Sequence, residues 1–380
     1  MVKRELTQKL EKYISSGNHK IQFVWGPRRS GKSTILKLLS EKYGVKIFNF
    51  ELVNDRQFFT NDIEVLKKLC ENNKIILIDE VQEYPESTVA LKIIYDTFPN
   101  KVIATGSTEL RVVSLSDYDS LSGRFDQHYC YPLSLKEIVQ SKEQENTLFS
   151  KDKLGIEKDV KDLIIWGGYP EVFTEKDDLK KITYIDSIID TYILKDIVNI
   201  YKLKDIKLVK DMLVLLALQI GQEISLTSLS SRLGIDKKTL SSYLEILSKN
   251  CILIPLPPYE SNVKKSISTY NKYYFWDIGL RNALVKDFRE IDLRQDKGMV
   301  LENFVISEYC KNKEMKDSKE NIYYYRDYSL NEVDIVTVDY FKNIKTFEIK
   351  YKERKLKNNV PELPTPYVIS MSNLAEFLLK

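Results

Sequence analysis

Apolar residues recur with two rhythms along this chain, and the switches between them delimit its elements. Ile21-Gln22-Phe23-Val24-Trp25, Ile75-Ile76-Leu77-Ile78 and Lys101-Val102-Ile103-Ala104-Thr105-Gly106-Ser107 read as buried strands, and Val45-Lys46-Ile47-Phe48-Asn49-Phe50 alternates like one. Residues 3–15, 34–39, 62–70 and 89–98 instead space their apolar positions three or four apart, as helices do. Strand and helix in turn predict an α/β domain with a parallel sheet over residues 1–155. A helix beginning near Glu157 closes at the tight turn Trp166-Gly167-Gly168-Tyr169-Pro170. From Asp177 to Leu218 the spacing is helical almost throughout, with Lys204-Asp205 the expected break, so a helical lid is expected over 156–204.

Two short amphipathic stretches, 225–235 and 236–247, meet around Leu233-Gly234-Ile235. They are followed by the strand-like runs 251–256 and 272–277, which predicts a helix-turn-helix with a two-stranded wing over 205–290. The second helix offers Lys237, Lys238, Thr239, Ser241, Ser242 and Tyr243 to a duplex groove; the alternative is a packing or protein-contact module. Residues 291–380 read as a small α/β domain: a helix over 299–310, then strands over 322–327, 332–338 and 346–350.

Chemistry enters between the first strand and its helix, at Gly26-Pro27-Arg28-Arg29-Ser30-Gly31-Lys32-Ser33-Thr34. Strand, glycine-bounded loop, lysine, hydroxyl and helix make a P-loop in its required context. Its backbone N–H groups cradle phosphate oxygens, Lys32 reaches the β- and γ-phosphates, and Ser33 offers its hydroxyl to Mg²⁺. The apolar run 75–78 ends in Asp79-Glu80, where open parallel sheets bind ligands. Asp79 is the expected second holder of Mg²⁺, and Glu80 is expected to orient or deprotonate the attacking water. Lys32, Ser33, Asp79 and Glu80 are expected at the ends of neighbouring strands. Ser107, with Thr105 second, is the candidate sensor of the γ-phosphate; the alternative is a strand-end turn hydroxyl. Arg124, on the turn Ser120-Leu121-Ser122-Gly123-Arg124, is the candidate arginine finger, acting in its own or a neighbouring subunit; the alternative is a structural ion pair. ATP and Mg²⁺ are the expected ligands.

Composition narrows the rest. With 58 Lys and Arg against 55 Asp and Glu the net charge is only +3, so nucleic-acid contact must come from a local patch. Two histidines, His19 and His128, exclude a histidine-rich metal site, and Cys70, Cys130, Cys251 and Cys310 lack metal-type pairing. No signal core or membrane-length apolar run is seen, so a reducing cytoplasm and no membrane partner are expected. In the last domain Asp334, then Glu348-Ile349-Lys350, with Glu302 on the preceding helix, supply the residue types of a metal-dependent nuclease core. The two strand carboxylates can share Mg²⁺, and Lys350 lies on the same strand face as Glu348. The alternative is a strand with one wet face.

These motifs together resemble the prokaryotic, largely archaeal AAA-superfamily ATPases whose C-terminal region, long labelled a domain of unknown function, joins a winged helix to a PD-(D/E)XK-like fold. The resemblance spans almost the whole chain. Its marks also include Asp79-Glu80-Val81-Gln82, Gly167-Gly168-Tyr169-Pro170, Tyr274-Phe275-Trp276-Asp277-Ile278-Gly279-Leu280 and Glu332-Val333-Asp334. One departure is Lys195, where the family is expected to favour arginine. The P-loop motifs, the winged-helix pattern and the Glu302, Asp334, Glu348 and Lys350 set predict an ATPase acting on or near double-stranded DNA, with a homo-oligomer or protein partner as further candidates. The competing function is a signalling or scaffolding switch that uses ATP state to change partners and cleaves nothing.

Overall fold

The apolar runs of the first 130 residues become parallel strands. In a computed structural model, which describes residues 2, 4–107, 121–144, 153–198, 203, 205–259, 270–327, 331–353 and 360–379, they are β1 (Ile21–Trp25), β2 (Ile47–Asn49), β3 (Ile75–Asp79), β4 (Lys101–Gly106) and β5 (Phe125–Tyr129). Their order is β2-β3-β4-β1-β5. Every pairing is parallel, with Trp25 beside Gly106 and Ile78 beside Ala104. β4 therefore lies between the P-loop strand and the Asp79 strand, the place expected for a sensor strand. All five residues of β1 are buried, as a central parallel strand covered on both faces requires.

Helices α1 (Glu5–Ser15), α2 (Lys32–Tyr43), α3 (Val53–Arg56), α4 (Ile63–Asn72) and α5 (Ser87–Thr97) accompany this sheet. Leu66 and Leu69 of α4 and Ala90, Leu91 and Ile94 of α5 join Phe23, Trp25, Ile76 and Ile78 in one core. Asp62 caps α4 by accepting from Glu64 N at 2.9 Å.

The chain divides into two compact units: Lys3–Tyr131 with Lys249–Cys251, here the N-terminal unit, and Met1–Val2, Pro132–Ser248 and Ile252–Lys380, the C-terminal unit. The first closes at Tyr131, short of the expected residue 155, because Leu133, Leu135, Ile138 and Val139 are buried in the core of the second.

That second core is shared by the segments expected as lid, helix-turn-helix and last domain. Its first helices are α6 (Leu135–Gln144), α7 (Lys153–Trp166), α8 (Pro170–Thr174) and α9 (Asp178–Ser187), which runs on as π-helical turns over Ile188–Ile197. Asp205 caps α10 (Ile206–Leu218), accepting from Lys207 N at 2.8 Å; Lys204, the other residue of the expected break, lies outside the described residues, as does Ser120. α11 (Leu226–Leu233) and α12 (Lys237–Lys249) meet at Gly234, and β6 (Leu253–Leu256) pairs antiparallel with β7 (Lys272–Phe275), to which Glu223 adds a bridge at Lys272. α13 (Ile278–Leu284) and α14 (Lys297–Met315) precede a sheet of β8 (Asn321–Arg326), β9 (Glu332–Val338), β10 (Ile344–Ile349) and β11 (Tyr367–Ile369), ordered β11-β10-β9-β8, and α15 (Leu374–Leu379) follows.

Two of the sequence marks in this unit meet in a structural clamp. The Asp277 carboxylate, 2% exposed, accepts from Gly168 N at 2.7 Å and from Leu280 N at 3.2 Å. Gly167 has φ +77°, and a Cβ there would stand 2.1 Å from Asp277 Oδ1, so only glycine fits. Burial raises the Asp277 pKa, outweighing Lys311 and the backbone donors that oppose it.

Candidate functional site

The C-terminal ends of β1, β3 and β4 share one sheet edge, and the polar residues of the first motifs gather there. The P-loop leaves β1 at Trp25 and is folded tightly: a Cβ on Gly26 would come within 2.3 Å of the Cys130 carbonyl oxygen. Arg29 and Gly31 take the left-handed conformation, φ 64° and 102°, which turns the loop into α2. The buried guanidinium of Arg4 braces it from α1's start, donating from Nη1 to Ser30 O and from Nη2 to Tyr131 O, both at 2.6 Å. Lys32, 5% exposed, points its ammonium back into the loop and donates to Gly26 O at 2.8 Å and Pro27 O at 3.0 Å. Arg28 and Arg29 are exposed, Pro27 and Ser30 buried, and Ser33 and Thr34 half-buried on the first turn of α2.

Asp79 ends β3. Its Oδ1 accepts from Thr105 Oγ1 at 2.5 Å and from Glu80 N at 3.2 Å, and its Oδ2 has no partner among the described residues. Thr105 is thus engaged with Asp79. Ser107, 1% exposed, keeps a buried hydroxyl with no partner among the described residues. Glu80 takes φ 54°, and its Oε2 accepts from Gln82 Nε2 at 2.5 Å. Gln82 Oε1 in turn accepts from Ser107 N at 3.2 Å. Gln82 was not among the residues expected here; its signal is its place two residues after Glu80.

Arg124 is not with them. It precedes β5, and its carbonyl accepts from Ile21 N at the start of β1, so it stands at the sheet edge opposite the P-loop. A five-residue strand, about 16 Å long, separates the two edges. Its guanidinium forms a two-point ion pair with Asp96, Nε to Oδ1 at 2.8 Å and Nη2 to Oδ2 at 3.1 Å. Within one chain the finger role is therefore corrected to an ion pair.

In the C-terminal unit the structure brings Glu302, Asp334, Glu348 and Lys350 into one charged cluster and adds Lys272, Tyr274 and Glu332. Tyr274 Oη donates to Glu302 Oε1 at 2.5 Å, and Lys272 Nζ, 1% exposed, lies 3.5 Å from the same oxygen and bonds Glu332. Lys350 Nζ pairs with Glu348 Oε1 at 2.5 Å, and Asp334 Oδ2 accepts from Ile349 N at 2.6 Å. Burial, then Glu302 and Glu348, push the Asp334 pKa well above the usual carboxylate range, against Lys350. Burial also raises Glu302, although Lys272 and Tyr274 oppose it. For Lys272 burial pulls the pKa down, but Glu302 and Glu332 outweigh it and the net shift is upward. Glu302, Asp334 and Glu348 each give one oxygen to a tyrosine, a lysine or a backbone N–H and keep the other without a partner among the described residues, where no group of three or more His, Cys, Asp or Glu is placed to hold a metal ion. The sequence reading took β7 as a wing strand and Tyr274 as a mark of the resemblance, and gave neither Lys272 nor Tyr274 a place in this cluster.

Along α12, Lys237, Lys238, Ser241 and Ser242 are exposed. Two companions are corrected. Tyr243 is 5% exposed and belongs to the core with Leu240, Leu244 and Leu247. Thr239 is part of the helix cap, donating from N to Asp236 Oδ1 at 2.8 Å and from Oγ1 to Oδ2 at 2.6 Å.

Residues 18–139 match the family model described as "AAA domain", and residues 157–291 and 297–363 match two described as "Domain of unknown function (DUF8612)" and "Domain of unknown function (DUF4143)". The chain is similar to an uncharacterized protein of Haemophilus influenzae, 29% identical over 283 residues that cover 70% of this chain and 69% of that one. It is also similar to the uncharacterized protein MJ1544 of Methanocaldococcus jannaschii, 25% identical over 368 residues, 90% of this chain and 80% of that one. Among solved structures, the Thermotoga maritima RuvB Holliday junction branch migration motor is similar at 16% identity and TM-score 0.31, covering 67% of this chain and 90% of that one. The Aeropyrum pernix ORC1 protein in complex with DNA is similar at 12% identity and TM-score 0.30, covering 75% and 91%. The N-terminal unit carries a five-stranded parallel sheet, and its similarity is to an AAA domain. Among the described residues no helix is long and apolar enough to cross a membrane.

The buried lysine of the second cluster yields a stability prediction. Lys272→Met leaves the partly buried Glu302 and the more exposed Glu332 without their cation, a loss below the about 3–5 kcal/mol of a fully buried pair broken from one side. Urea denaturation of the variant should show that loss. A variant as stable as wild type would contradict the assigned ionic role.

Proposed function

We propose that the chain binds ATP with Mg²⁺ at the P-loop edge of the N-terminal sheet and hydrolyses it. The observation that carries this reading is the buried Lys32 ammonium, held among the described residues by two main-chain carbonyls of the loop, at the same sheet edge as Asp79 and Glu80. A triphosphate would take the loop N–H groups and the N-terminus of α2, and Lys32 would exchange the carbonyls of Gly26 and Pro27 for β- and γ-phosphate oxygens. The Ser33 hydroxyl and the open Oδ2 of Asp79 are hard oxygen donors suited to Mg²⁺, which when bound would offset phosphate charge. Glu80, with one oxygen fixed by Gln82, would take the proton of the attacking water on the other. The Ser107 hydroxyl would donate to a γ-phosphate oxygen.

A second reading concerns α12. Its exposed Lys237, Lys238, Ser241 and Ser242, on a helix-turn-helix followed by the antiparallel β6–β7 ladder, favour a winged helix that meets double-stranded DNA mainly through phosphates. The charged cluster of the C-terminal unit is read as an ionic core in which Lys272 and Lys350 balance Glu302, Glu332 and Glu348. ATP turnover unaffected by duplex DNA would favour the partner-switching alternative.

Lys32→Ala should abolish ATP binding, whereas Glu80→Gln should keep binding and lose about 10²- to 10⁴-fold in kcat, the usual contribution of a positioned base. Equilibrium binding and phosphate release check both, and normal turnover in Glu80→Gln would remove its role. For DNA, replacing Lys237 and Lys238 by Ala should weaken binding and lower the slope of log affinity against log salt by roughly 2, about 0.9 per lost phosphate contact. An unchanged slope in the double variant would assign this helix to protein contact.

A further inference from the structure

We infer that Gln82 is the positioning residue that aims Glu80 and couples it to the Ser107 end of β4. The inference deepens, and rests on, the ATPase reading above. The left-handed φ of Glu80 folds the chain back directly after β3, and Val81–Glu83 forms a single 3₁₀ turn closed by Glu83 N donating to Glu80 O at 2.9 Å. That turn brings the Gln82 side chain, 6% exposed, back beside Glu80. Both ends of its amide are used. Nε2 donates to Glu80 Oε2 at 2.5 Å, and Oε1 accepts from Ser107 N at 3.2 Å. The orientation follows from chemistry, since a main-chain N–H can only donate and an ionised carboxylate can only accept, so a flipped amide would break both bonds.

The space for this bridge is built into β4. A Cβ on Gly106 would stand 2.6 Å from Gln82 Oε1, so a larger residue there would displace the amide. The two groups it joins are those that the ATPase reading turns toward the water and the γ-phosphate. Glu80 keeps its second oxygen, and Ser107 its hydroxyl, without a partner among the described residues. A base that swings among rotamers is misplaced for most of the time, and a misplacement of about 1 Å can cost 10²-fold in rate. The Gln82 amide fixes one carboxylate oxygen of Glu80 relative to the sensor strand, so that a phosphate engaged by Ser107 and a water engaged by Glu80 are held in one frame. Asparagine is a methylene shorter. Glutamate has no donor for Glu80 at neutral pH and adds a like charge.

The test compares full-length wild type, Gln82→Met, Glu80→Gln and the double variant by steady-state ATP turnover and by equilibrium binding of a fluorescent ATP analogue. Methionine keeps the length and packing but not the amide. We expect Gln82→Met to lose roughly 10- to 100-fold in kcat, with nucleotide affinity within about 3-fold of wild type. The double variant should turn over like Glu80→Gln alone, because a residue acting through Glu80 has nothing left to position. Gln82→Glu, which keeps an acceptor for Ser107 N and loses the donor, should show the same kcat loss and stands in if the methionine variant fails to fold. Wild-type turnover with unchanged kcat in these variants, a further loss in the Glu80→Gln background, or affinity falling as much as kcat would overturn the inference and leave the ATPase reading intact. No turnover in the wild type would overturn both.

Discussion

A lysine ammonium buried in a loop and held by two main-chain carbonyls is the interaction around which the N-terminal unit is arranged. A buried charge is costly unless it is bonded, and Lys32 meets that demand with Gly26 O and Pro27 O. Those carbonyls point inward only because the loop is tightly curled, and the curl requires glycine at 26, where the Cys130 carbonyl leaves no room for a side chain. Arg4 closes the arrangement from behind by holding Ser30 O and Tyr131 O. The loop is therefore preorganised around positive charge, and a phosphate chain could replace the two carbonyls with little rearrangement.

The same economy governs the neighbouring strand ends. Asp79, Glu80 and Ser107 each use one polar atom to fix their position and leave another open. Thr105 fixes Asp79, and Gln82 fixes both Glu80 and Ser107. Such partial satisfaction leaves polar atoms ready to meet a polar ligand. The charged cluster of the C-terminal unit behaves differently. Glu302 meets Lys272 and Tyr274, Glu348 meets Lys350, and Asp334 accepts from a backbone N–H, so this cluster carries its own cations beside its carboxylates.

What the sequence made legible was local. The P-loop and Asp79-Glu80 are contiguous signals, and the alternating and helical rhythms around them place most elements within a few residues. Properties set by pairing between distant segments were not. β5 passed unread because Phe125-Asp126-Gln127-His128-Tyr129 is a half-buried edge strand without an apolar run. Without β5 nothing said that Arg124 precedes a strand parallel to β1 and so stands at the far edge. The meeting of Lys272 with Glu302 and Glu332 across 30 and 60 residues of chain depends likewise on topology. Tyr243 was readable: it stands three residues from Leu240 and four from Leu247, on the apolar side of α12.

The central claim is that the loop around Lys32 grips the β- and γ-phosphates of a nucleotide. Calorimetric titration of the full chain with ATP, ADP and AMP in Mg²⁺ tests it directly. The account predicts one ATP or ADP per chain and AMP at least about 100-fold weaker, since AMP forfeits two or more charge-assisted hydrogen bonds of roughly 1.5–3 kcal/mol each. AMP binding as tightly as ATP, or no binding of ATP at all, would contradict it.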